Sequence, residues 1–63
     1  MNREVILRFQ GKTVKLVLDG NFCLTGIIET VYDDCILFTT RQKSSVIAFP
    51  RIQEITPLEG EHG

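Results

Sequence analysis

Cysteine and histidine are scarce in this chain of 63 residues: two cysteines, Cys23 and Cys35, and a single histidine, His62. The scarcity leaves no disulfide framework and no spacing of ligands suited to zinc. It also leaves no nucleophile beside a base, so a protein that is not an enzyme, with no cofactor and no metal, is expected. Charge is nearly balanced, with seven basic and eight acidic side chains for a formal net charge of −1. No global field therefore draws nucleic acid to the chain. Apolar runs are far shorter than a membrane span. Met1-Asn-Arg-Glu lacks the apolar stretch of a signal peptide. Free thiols in the reducing cytoplasm are the resulting expectation.

Apolar residues make up 43% of the chain, enough for a globular fold. The length allows one small domain, residues 1–58, and Glu59–Gly63 reads as a disordered acidic tail. A core of this size supplies a margin of only a few kcal/mol. With no disulfide or metal to add to it, oligomerisation is the expected stabiliser.

Residues 14–38 carry most of the information. Val14, Leu16 and Leu18 alternate with Lys15 and Val17, and Asp19-Gly20 follows as a tight-turn signal. Phe22, Leu24 and Ile28 continue the inward register on a returning strand. Gly26 lies inside that strand, where a lone glycine marks a sharp bend or a close backbone approach. Tyr32-Asp33-Asp34 makes a polar turn into a third strand, Cys35–Thr40. After a basic loop, Arg41–Ser45, a fourth strand at Ser45–Phe49 stops at Pro50, and a short fifth, Gln53–Thr56, ends at Pro57. Residues 2–10 fit two patterns. Val5, Ile6 and Phe9 form a helical stripe with Asn2 as cap and Gly11 as stop, whereas Val5, Leu7 and Phe9 alternate as a strand would. The break at Gly11-Lys12 favours the helix. The predicted fold is mainly β: a short N-terminal helix followed by a strongly bent five-stranded antiparallel barrel of the SH3-like or Sm-like kind.

This order of elements, together with Leu24-Thr-Gly-Ile-Ile-Glu-Thr-Val-Tyr-Asp-Asp-Cys-Ile-Leu-Phe and the shorter Val46–Ile55 segment, resembles the Sm-like (LSm) family. The Gly26-x-apolar-Glu29 core and the Ile36-Leu37 pair resemble its bacterial, Hfq-type branch most. The resemblance covers about residues 5–57. It implies a cytoplasmic homo-oligomeric ring, a hexamer or heptamer, in which the fourth strand of one subunit pairs with the fifth of its neighbour. It also implies single-stranded RNA as partner. Edge pairing follows independently from an apolar fourth strand and a short fifth strand, which would otherwise leave open edges on a marginal monomer.

The residues that hold RNA in that branch differ here. Asp34 stands at the stacking aromatic position, Ala48-Phe49-Pro50-Arg51 lacks the lysine and histidine of the second loop, and Val17 and Thr25 replace the tyrosine and glutamine of the opposite face. The RNA-binding candidates are Tyr32 and Phe49 as stacking rings and Arg41, Lys43 and Arg51 as phosphate contacts. Each has an ordinary reading beside it: Tyr32 as a cover for the end of the barrel, Phe49 as a buried interface residue, the cations as a solvated loop. Asp33-Asp34, repeated around a ring, makes an acidic rim that repels phosphate. An Sm-fold ring acting as a structural or protein-interaction module is therefore the alternative function. Cys23 and Cys35 are expected as structural thiols facing each other across adjacent strands.

Overall fold

The computed structural model describes residues 1–58, and the expected tail at 59–63 lies outside the described residues. Helix α1 spans Arg3–Leu7, and five strands follow: β1 Thr13–Leu18, β2 Phe22–Val31, β3 Cys35–Thr39, β4 Ser44–Ala48 and β5 Ile52–Pro57. Three-residue helical turns at Asp19–Asn21 and Phe49–Arg51 join β1 to β2 and β4 to β5.

The helical reading of the N-terminal segment holds. Asn2, in extended conformation, caps α1 by accepting the Val5 N–H at 3.0 Å on Oδ1. Five residues cannot sustain a helix alone. Fully buried Ile6 and a bond from Arg3 Nε to the Tyr32 carbonyl, 3.0 Å, hold it against the sheet. Gly11, at φ +82°, turns the chain away, and its N–H donates to the Ile28 carbonyl at 2.7 Å.

The pairings between the five strands are all antiparallel, in the order β4-β3-β2-β1-β5. Val14, Leu16 and Leu18 of β1 are buried, as the alternation predicts. The β1–β2 connection is one residue longer than a two-residue hairpin. Gly20 and Asn21 both take positive φ, 75° and 61°, conformations that Gly and Asn adopt most readily. The long β2 serves both halves of the sheet: residues 22–27 pair with β1 and residues 27–31 with β3, and Ile27 faces both Thr13 and Thr39. A register shift around Glu29 marks the change of partner.

The expected barrel is not closed, because no ladder joins β4 to β5, and each keeps an open edge. The sheet is nonetheless curled. A flat sheet of five strands would put its edge strands about 19 Å apart. The turn Phe49–Arg51 leads from the end of β4 to the start of β5, and a link of that length reaches at most about 14 Å. Curling brings the two edges near each other at that corner. Inside the curl lies one core, Ile6, Val14, Leu16, Leu18, Ile28, Val31, Ile36, Phe38, Ile47, Phe49 and Ile52, with Phe9, Leu24 and Ile55 packed against it. No polar or charged residue among those described is buried. No described helix is long and apolar enough to cross a membrane.

Candidate nucleic-acid interface

At the β4–β5 corner one backbone bond joins two turns and another closes one of them. The Phe49 N–H donates to the Asp34 carbonyl at 3.0 Å, and Tyr32 N–H donates to the Cys35 carbonyl at 2.8 Å. The first bond sets the β2–β3 turn against the β4–β5 turn, and the second closes the β2–β3 turn itself. Arg51 Nε reaches Asp19 Oδ1 at 3.2 Å and joins the same corner to the β1–β2 turn.

Of the sequence candidates, Phe49 is the one whose placement changes its role. It is 8% exposed and belongs to the core, because Pro50 ends β4 one residue early and the turn folds the ring inward. It offers no face to a base in this chain. Tyr32 is exposed on the β2–β3 turn, beside exposed Asp33 and Asp34. Arg41 and Lys43 share the β3–β4 turn, but the turn directs them to different clefts. Thr40 Oγ1 accepts the N–H groups of Gln42 and Lys43, at 3.2 and 3.3 Å, and Thr40 N–H donates to the Lys43 carbonyl at 2.8 Å. This tight turn puts Arg41 beside a cleft of about 360 Å³ with Thr13, Thr25 and Thr39. Lys43 instead lines a larger groove of about 500 Å³ together with Arg51. The two cations of the loop thus line different, adjoining clefts, which share Thr25 and Thr40.

The larger groove has Leu18, Leu24 and Ile47 as apolar lining, Phe22 and Val46 as exposed apolar walls, and Lys43 and Arg51 as cations. Phe22, 58% exposed, is the residue the sequence reading missed. Its register is the inward one, opposite Leu18. Because β4 and β5 do not close over this end of the sheet, the inward position opens into the groove. The signal available in the sequence was an aromatic directly after a turn.

The two cysteines do not face each other. Cys23 pairs with Val17 and Cys35 with Ala48, since β2 meets β3 only from Ile27 onward. Both are free thiols. Partial burial pushes the Cys35 thiol above its ordinary value, and Asp34 adds to the shift through a hydrogen bond and its negative charge. Among the described residues, no group of three or more side chains is placed to hold a metal ion.

Comparison with protein-family models, with curated proteins and with solved structures finds no match.

Proposed function

We propose that this chain forms a homo-oligomeric Sm-like ring, a hexamer or heptamer of the cytoplasm, that binds single-stranded RNA along the groove beside β4. One observation carries the reading: β4 is at once an open sheet edge and a wall of that groove, contributing Val46 and Ile47 to it. Pairing β4 with β5 of another copy satisfies both open edges and repeats the groove once per subunit. A contact between two different edges is head-to-tail, and it closes into a ring when the rotation permits.

Within each groove, Phe22 supplies a stacking face and Lys43 and Arg51 the phosphate contacts. A base stacked on an aromatic ring contributes about 1–3 kcal/mol. Modest contacts, repeated around a ring, add up through effective concentration. Arg41 and Tyr32 lie outside the groove, where a longer strand would reach them.

Exposed Asp33 and Asp34 favour the second reading, a ring that recruits a cationic protein and binds no RNA. Fluorescence anisotropy with U-rich and A-rich oligonucleotides over a salt series separates the two. Binding that weakens steeply with salt supports the RNA function. No binding of either oligonucleotide at low salt removes it. Light scattering tests the ring, which a single species at 7.2 kDa would exclude.

A further inference from the structure

Arg51, one of the two cations of the groove, is already engaged by a carboxylate of its own chain. Its Nε lies 3.2 Å from Asp19 Oδ1, and both side chains are more than half exposed, at 53% and 58%. An ion pair so open to water is weak and exchanges readily with other anions. Asp19 has no capping duty in its turn, since no side-chain bond caps the Asp19–Asn21 segment. Its carboxylate instead accepts from Arg51. Asp19 and Arg51 lie 32 positions apart in sequence, so their meeting is a product of the fold.

We infer that Asp19 is an internal competitor for the phosphate site, occupying Arg51 until a polyanion displaces it. The inference rests on the proposed RNA function for its biological ligand, while the competition itself concerns any phosphate-bearing chain. The guanidinium offers its fork of N–H donors either to the Asp19 carboxylate or to a phosphodiester oxygen. A phosphodiester that takes the Nε–H edge has to break the Asp19 contact as it binds. The consequence is a lower affinity for short or singly charged anions and a preference for ligands that also engage Lys43 and Phe22. The groove thereby discriminates a polynucleotide from a free phosphate.

The test combines Asp19→Asn, Arg51→Gln and the double variant, each titrated with a U-rich oligonucleotide, an A-rich oligonucleotide and inorganic tripolyphosphate. The Arg51 Nε–H resonance reports tripolyphosphate binding directly in the chains that keep Arg51. Asp19→Asn should tighten binding by about 1.5- to 5-fold per engaged subunit, the range an exposed ion pair allows. It should also steepen the dependence of log affinity on log salt, by about 0.7 for each phosphate newly neutralised on a single strand. In the Arg51→Gln background the same change should give no gain. A gain that survives there reflects only the loss of one negative charge and overturns the inference, as does equal affinity of the parent chain and Asp19→Asn for every probe. Oligonucleotides that bind neither chain, with tripolyphosphate still showing the Asp19 dependence, would remove the RNA function and leave the competition standing.

Discussion

Gly26 and the Thr39 carbonyl oxygen lie so close together that no side chain fits between them. A β-carbon on Gly26 would collide with that oxygen and come within 3.2 Å of the Phe38 ring. The glycine thus lets β2 lie against β3 where β2 exchanges one partner for the other, and its role is close approach. Gly26→Ala forces backbone apart next to a fully buried phenylalanine. Overpacking of this kind costs about 1–3 kcal/mol, a large part of the margin of so small a domain. Urea denaturation followed by circular dichroism should show the midpoint fall steeply, and an unchanged midpoint would contradict the close contact.

Phe22 and Phe49 sit on either side of the groove's boundary and should respond in opposite ways to truncation. Phe49→Ala empties a core position and should cost about 3–5 kcal/mol, enough to unfold much of the protein. Phe22→Ala removes a ring that is mostly in water, so the unfolding midpoint should move little. Its effect should appear in oligonucleotide affinity, as a loss of about 1–3 kcal/mol. Paired denaturation and anisotropy measurements on the two variants decide the matter. A stable Phe49→Ala protein with weakened binding would return Phe49 to the interface.

These two rings also mark how far the sequence could be read. Alternation with a period of two placed Val14, Leu16, Leu18, Phe22, Leu24 and Ile28 inside; the first three and Ile28 are buried, Leu24 is partly buried and Phe22 is exposed. The Asn2 cap identified the helix, because it acts on the Val5 N–H only three residues away. The failure of the barrel to close, the exposure of Phe22 and the division of Arg41 and Lys43 between two clefts were not legible. Each depends on how tightly the sheet curls, which is set by contacts between residues distant in sequence. The meeting of Asp19 with Arg51 belongs to the same class.

The cysteines should differ in reactivity because their surroundings differ. Cys23 is exposed, whereas Cys35 is half-buried beside Asp34. A thiol whose pKa is raised holds less thiolate at any pH below that value, and the thiolate is the species that attacks. In the folded protein at neutral pH, iodoacetamide should label Cys23 first and Cys35 later, and the gap should narrow as the pH rises. In denaturing urea the two should react alike. Mass spectrometry of timed samples reads the order, and equal rates in the folded chain would contradict it.

Val46 gives the most direct test of assembly through the open edge. Its side chain is 66% exposed on β4, so within a single chain its replacement leaves the core intact. Substitutions at such sites usually shift stability by no more than about 0.5 kcal/mol. A lysine there puts a charge on an edge strand, a device that discourages pairing with another chain. In a head-to-tail ring the charge would recur at every interface, so a modest cost at each contact accumulates. Val46→Lys should therefore keep the circular dichroism spectrum of the parent while its mass by light scattering falls toward that of one chain. A variant that keeps the parent's oligomeric mass would exclude β4 from the interface.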